Sequence, residues 1–262
     1  MSEHITVVGY DVDNSTYDHQ SKRVPGVAAL NALEVPAIPA TARNLPLMRS
    51  FARHGVRLSD LGSLDSGATV VDLATEEVAW KNWMERETVT EIMRKAGKKC
   101  IEISTSTLEA RIKTDPNTID SRFTYPEESP SVFAVYPMEA RPWLEELFAG
   151  IDGVKARFMR YENSETLGCF QVTAEGIDKG TGFMKTLEIG GLSDGRAVVV
   201  GDDISGDGPL FDAVHQMQQR GIAVAVGNAD PLLKAKADMI VASVSDTPDG
   251  FTDAMRRLNL VE

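Results

Sequence analysis

The sequence predicts an α/β fold: a parallel-sheet core with a second, α+β unit inserted into it. Three observations carry that reading. Short apolar runs alternate with helix-patterned stretches at both ends of the chain. Several of those runs stop at Asp, Thr or Gly-Asp, which puts polar groups at the carboxyl edge of a sheet. The middle third changes to strand–helix–strand–strand, a texture that does not continue a parallel sheet.

Ile5-Thr6-Val7-Val8-Gly9-Tyr10 is apolar and β-branched, the pattern of a buried strand ending at Asp11. Residues 25–33 follow as a helix, with Pro25 early and Val27, Leu30 and Leu33 on one face. Residues 35–40 form a second strand ending at Thr41, although Pro36 and Pro39 suit a central strand poorly. A helix over 45–54 closes at Gly55. In the middle, residues 89–96 read as a helix with Glu91 and Lys95 as an i,i+4 pair. Residues 114–130 read as a long polar connection. Then come a strand at 132–136, a helix at 142–148, and strands at 154–161 and 166–173. The core resumes with a helix from about Lys179, a strand at 197–200 ending at Gly201-Asp202, and a helix at 209–220. Strands at 222–226 and 239–241 complete it. The expected division is residues 1–82 with 175–262 as the core, and 83–174 as the insertion.

Four segments at strand or helix ends carry chemistry. Asp11-Val12-Asp13-Asn14-Ser15 places two acids at i,i+2 and a hydroxyl at i+4. That suits a nucleophile, an acid/base and a metal ligand on one loop, or else an Asx-rich turn. Thr41-Ala42-Arg43 offers a hydroxyl and an amide to a phosphate oxygen, or a helix N-cap. Lys179 lies between Asp178 and Gly180 at a helix start, a point charge for an anion or a solvated lysine. Asp202, Asp203 and Asp207 follow a buried strand, and three acids there are costly unless paired or bound to a hard cation such as Mg²⁺. His4, His19, His54 and His215 show no metal-ligand spacing and read as surface or capping groups.

The chain has 262 residues and a formal charge of −12, with 42% hydrophobic residues. That is globular composition, large enough for a sizeable core. An acidic balance argues against nucleic-acid and anionic-membrane binding, which need clustered Lys and Arg. Two cysteines, Cys100 and Cys169, indicate no disulfide framework, so a cytoplasmic, reducing setting is expected. Residues 172–262 hold 8 basic and 14 acidic groups, half of the net charge, and that is where the Asp-rich loop lies.

Taken in order, the four segments resemble the haloacid dehalogenase-like phosphatase superfamily. Its pattern is an Asp-x-Asp-x-Thr/Ser loop, a Ser/Thr after the second strand, a Lys, and a Gly-Asp followed by another Asp. Here these are Asp11, Asp13 and Ser15, then Thr41, Lys179, and Asp202 with Asp207. Ser66-Gly67-Ala68 resembles the family's Asn-Gly-Ala turn, and Val224 to Ala229 its last strand and loop. The insertion is similar to the large α/β cap of the Cof-type and sucrose-phosphatase-like branch. Ser15, Asn14 and Gly206 depart from the commoner Thr, Gly and Asn.

The resemblance implies a Rossmann-like parallel-sheet core with an α+β cap that selects substrate. It also implies hydrolysis of a small, sugar-like phosphate through an aspartyl-phosphate. Asp11 would be the nucleophile and Asp13 the acid/base. Thr41, Ala42, Lys179 and Ser15 would hold phosphate, with Arg43, Arg157 and Arg160 toward the substrate. Mg²⁺ would sit on Asp11, Asp13 and Asp202, with Asp203 or Asp207 in support. The expected partner is a small phosphorylated metabolite, and the expected assembly a monomer or homodimer. A phosphomutase on the same fold and a non-catalytic binding protein are the rival readings.

Overall fold

The structure is a computed structural model and describes residues 4–114, 125–161 and 164–262, the Arg160 side chain excepted. The chain divides into two compact units, Met1–Trp80 with Asp178–Glu262, and Lys81–Ile177. The second division falls three residues beyond the expected one. Thr173 Oγ1 and Arg157 Nη2 both donate to the Ile177 carbonyl, at 3.2 and 2.8 Å, and tie that residue to the inserted unit.

The first unit holds a five-stranded sheet in the order Met239–Ile240, Ile222–Ala225, Arg196–Gly201, Ile5–Tyr10, Ala37–Pro39. Every pairing in it is parallel. Val7, Val8, Tyr10, Val198, Val199, Val200 and Val224 are fully buried. Continuous β-branched runs are what a parallel sheet covered on both faces demands. Pro36 and Pro39 fit because Ala37–Pro39 is the edge strand, where a missing donor leaves no ladder bond broken. From Ile5–Tyr10 the chain moves outward to Ala37–Pro39, and the later strands extend the other way from Arg196–Gly201. The order therefore reverses between two adjacent strands, and ligands of open α/β sheets bind outside the carboxyl ends at such a point.

The helices of this unit are Val27–Ala32, Leu45–Ala52, Lys179–Ile189, Ile204–His215, Pro231–Lys236 and Gly250–Arg257. The helix expected over 209–220 starts five residues earlier, with Pro209 inside it. Asp203 caps it by accepting from Gly206 N, which begins the helix despite Gly206, Gly208 and Pro209. An antiparallel hairpin, Leu61–Leu64 with Thr69–Asp72, was not apparent in the sequence pattern. Its turn brings Asp65 and Ser66 to positive φ and Gly67 to φ 97°. A Cβ on Gly67 would lie 2.0 Å from the Asp178 carbonyl oxygen. The turn thus packs backbone-to-backbone on the start of helix Lys179–Ile189, which a capping box between Asp178 and Thr181 fixes.

The second unit is an antiparallel sheet in the order Val154–Arg160, Leu167–Ala174, Val132–Pro137, Glu102–Ser106, Arg111–Thr114, with helices Arg86–Gly97 and Arg141–Ala149. Val89, Ile92, Met93, Ile103, Val132, Tyr136, Phe170 and Val172 form its own core. Of the polar connection expected over 114–130, residues 115–124 lie outside the described residues, and Glu128–Ser129 pairs with Met84–Glu85. Among the described residues, no helix is long and apolar enough to cross a membrane.

The packing at Gly67 yields a test. Gly67→Ala adds a Cβ where backbone already stands and demands positive φ of an alanine, so it should cost about 1–3 kcal/mol. Urea unfolding should show a lowered midpoint with an unchanged slope.

Candidate active site

Asp11 follows the strand Ile5–Tyr10, and its amide still donates to the Val200 carbonyl of the neighbouring strand at 2.9 Å. Asp202 follows that neighbour, Arg196–Gly201. The sheet order therefore sets the two acids side by side. Lys179 opens its helix with a nearly fully buried side chain, and its Nζ lies 2.7 Å from Asp11 Oδ1 and 2.7 Å from Asp207 Oδ1. The solvated-lysine alternative does not hold.

Asp207 is completely buried. Its Oδ2 accepts the backbone amides of Asp202 and Asp203 at 2.8 and 3.1 Å, so it organises the loop that carries Asp202. The carboxylates of Asp11, Asp202 and Asp207 each bring an oxygen within 4.8 Å of the others. Asp203 stands apart from that cluster. Its Oδ2 is taken by Gly206 N at 2.7 Å and by the Ser205 hydroxyl, as a helix cap. Of the two supporting acids expected from sequence, Asp207 is the one in the cluster.

The electrostatics reflect this crowding. Burial, only partly offset by Lys179, pushes the Asp11 carboxyl up to about 7, and Asp207 and Asp13 repel its charge further. Burial and the charges of Asp11 and Asp207 hold Asp202 well above the usual carboxylate range. Burial works against the Lys179 ammonium, but Asp11 and Asp207 outweigh it and hold its pKa above the ordinary lysine value. One lysine cannot balance three convergent carboxylates, and hard oxygen donors with excess charge fit a divalent cation such as Mg²⁺.

Asp13 has a different environment. Arg43 Nε reaches its Oδ2 at 3.0 Å, Arg43 Nη2 its Oδ1 at 2.6 Å, and His19 Nε2 the same Oδ1 at 2.8 Å. Burial opposes ionisation, yet these bonds together hold the Asp13 carboxyl far below its ordinary value. Arg43, expected toward substrate, is thus committed to Asp13, with its guanidinium 4.8 Å from the Tyr17 ring centroid and 5.7 Å from that of Phe51. His19 is a surface group, as its sequence context suggests, and in addition it bonds a site carboxylate. Its nearness to Asp13 in sequence is the one signal that pointed there.

Thr41 is fully buried after the edge strand. It is not the cap of the next helix, since Asn44 accepts from Leu47 N there. Its Oγ1 accepts Arg43 N at 3.2 Å, which leaves the hydroxyl hydrogen to give. The Ala42 amide donates to no partner among the described residues. Ser15 donates to Asp202 Oδ1 at 3.0 Å and so joins the Asp loop. Asn14 takes φ 57°, a conformation Asn tolerates and Gly prefers, which accounts for its place in that loop. Asn228 ties the loop to the far end of the chain, donating to the Asn14 carbonyl and accepting Val244 N. Arg157 lies in the inserted unit with Nη2 on Ile177 O, and the Arg160 side chain is outside the described residues.

The haloacid dehalogenase-like hydrolase family model matches residues 12–255, nearly the whole chain. The chain belongs to that family. Among its relatives, this haloacid dehalogenase-like hydrolase is 30% identical over 95 residues to the phosphoglycolate phosphatase of Nitrosopumilus maritimus. That match covers 36% of this chain and 37% of the relative. The chain thus spans about a third of that relative's length, and a fifth of another's. A phosphatase of the haloalkanoate enzyme superfamily from Bacteroides thetaiotaomicron shares the fold at TM-score 0.73 and 17% identity, covering 99% of this chain and 97% of that one. A subclass IIB sugar phosphatase does so at 0.71 and 17%, covering 98% and 100%. The fold likeness thus includes the inserted unit.

The two Asp-loop acids make separable predictions. Asp207→Ala takes one of two carboxylates from the buried Lys179 ammonium and the acceptor from two amides, and should cost about 3–5 kcal/mol. Asp203→Ala removes a helix cap and should cost about 1 kcal/mol. Urea unfolding in EDTA measures both, and equal losses would contradict this division of labour.

Proposed function

We propose that this hydrolase is a Mg²⁺-dependent phosphomonoesterase that works through an aspartyl-phosphate on Asp11. The observation that supports it most is the state of the Asp11 carboxylate. Its Oδ1 is fixed by Lys179, while its Oδ2 accepts no hydrogen bond among the described residues and is the oxygen left to attack.

Asp11 Oδ2 forms a bond to phosphorus as the bond from phosphorus to the ester oxygen breaks. Asp13 gives that oxygen a proton, then takes one from the water that hydrolyses the acyl phosphate. The ionised state in which Arg43 and His19 hold Asp13 is the one the second step requires. Lys179, the Thr41 hydroxyl and the Ala42 amide hold the transferring oxygens as their charge grows. Asp11, Asp202 and the Asp13 carbonyl would hold Mg²⁺, with Asp207 in support, and the ion would supply positive charge near the phosphoryl oxygens. Ser15 keeps Asp202 oriented.

The proposed substrate is a small sugar-like phosphate. A structural neighbour that is a sugar phosphatase supports it.

Purified enzyme with Mg²⁺ should release inorganic phosphate from members of a phosphate-ester panel. Asp11→Asn should lower kcat on the order of 10³-fold or more. A sugar phosphate isomerised without phosphate release identifies a mutase instead. Wild type as inactive as Asp11→Asn across the panel leaves a binding protein.

The metal site has a readout that does not need turnover. Mg²⁺ at 100 times its Kd should stabilise the fold by about 2.7 kcal/mol, seen as a rise in Tm that EDTA reverses. Asp202→Asn should lose most of that rise. An equal rise in the variant would place the cation elsewhere.

A further inference from the structure

The segment after Asp13 doubles back on itself. Asn14 N donates to Tyr17 O at 2.9 Å, Tyr17 N to Val12 O at 2.7 Å, and Asp18 and Arg23 exchange backbone bonds. This return carries His19 back to the carboxylate six residues before it. Tyr17 is its platform: the Tyr17 ring meets His19 edge-on at 5.1 Å and His54 at 5.4 Å, while Arg43 lies over its face. The His19 side chain is 57% exposed and that of Arg43 only 12%, so Asp13 has one clamp arm at the surface and one in the interior.

Counting lone pairs shows what the clamp leaves. An ionised carboxylate is acceptor-only, with about two sites on each oxygen. Arg43 Nη2 and His19 Nε2 both use Oδ1, and Arg43 Nε uses one site of Oδ2. Among the described residues this leaves a single acceptor site, on Oδ2. With its hydrogen on Nε2, His19 is a donor to Asp13 Oδ1 at 2.8 Å.

We propose that His19 is a positioning residue for Asp13: together with Arg43 it saturates Oδ1 and so makes Oδ2 the oxygen that gives and takes the proton. The proposal rests on the phosphatase reading above and adds to it a residue and an atom. Arg43 alone would leave one site open on each oxygen. The proton could then lodge on Oδ1, and the acid would present its hydrogen in two directions. His19 removes that choice without touching substrate.

The test uses two esters that share every step except the leaving group. Phenyl phosphate needs a proton on its departing oxygen far more than p-nitrophenyl phosphate does. In full-length enzyme with saturating Mg²⁺, His19→Ala should lower kcat/KM on phenyl phosphate roughly tenfold more than on p-nitrophenyl phosphate, the worth of one charge-assisted hydrogen bond. His19→Gln places an N–H donor near the same point and should restore most of the lost selectivity. Equal losses on both esters, unrestored by Gln, would mark a merely structural loop residue and overturn the proposal. So would an unchanged ratio. If wild type releases phosphate from neither ester nor any member of the panel, the phosphatase reading itself falls and takes the proposal with it.

Discussion

The buried Lys179 ammonium, held between Asp11 and Asp207, is the interaction on which the rest of the site depends. Removing an ammonium from water costs several kcal/mol, recovered only with good geometry and filled hydrogen bonds. Here the two carboxylates that compensate it come from a strand end near the start of the chain and from a helix near its end. The same contacts that make Lys179 tolerable also orient Asp11 and, through Asp207 and two backbone amides, shape the Asp202 loop. Stability and site geometry are therefore one set of bonds. The tight Gly67 and Gly182 approach serves the same end, since it seats the helix that begins with Lys179 after an excursion of about a hundred residues.

Around that pair the protein separates two acids that are neighbours in sequence. Asp11 and Asp13 have the same side chain and opposite perturbations. Burial among like charges pushes Asp11 up, and Arg43 and His19 pull Asp13 down. Divergent pKa values in adjacent carboxyls are the physical mark of divided roles in catalysis. The separation works because a single residue, Val12, turns one side chain toward Lys179 and the next acid toward the loop that carries His19. Asn14 at φ 57° lets the chain make that turn.

Much of this was legible in the sequence, because the informative residues sit where local pattern ends. Asp11, Thr41 and Asp202 each follow an apolar run, and a parallel sheet puts such positions on one edge. Lys179 was legible as a helix start, not as a buried charge, because burial depends on partners 168 residues before it and 28 after. Asp203 and Asp207 could not be told apart by spacing. Which becomes a cap and which joins the cluster depends on where the helix begins, and Gly206, Gly208 and Pro209 concealed a start at Ile204. The Leu61–Asp72 hairpin was hidden for another reason: Ser66-Gly67 marks its turn, but each strand has only four residues, too few for a clear alternation.

His19 shows where reading along the chain runs out. A histidine six residues from an acid has no spacing rule that joins them, and its partner is chosen by the reversal through Tyr17. Arg43 is reached from yet another strand end. The three groups meet only because the sheet aligns two strand ends and one loop folds back over them. Once they meet, Arg43 is no longer available as a free cation for phosphate. On the proposed phosphatase reading, the positive charge that faces an ester would come from Lys179 and from a cation on Asp11, Asp202 and Asp207. On that reading, a chain of net charge −12 would receive an anion because three of its carboxylates converge where a metal would reverse the local sign.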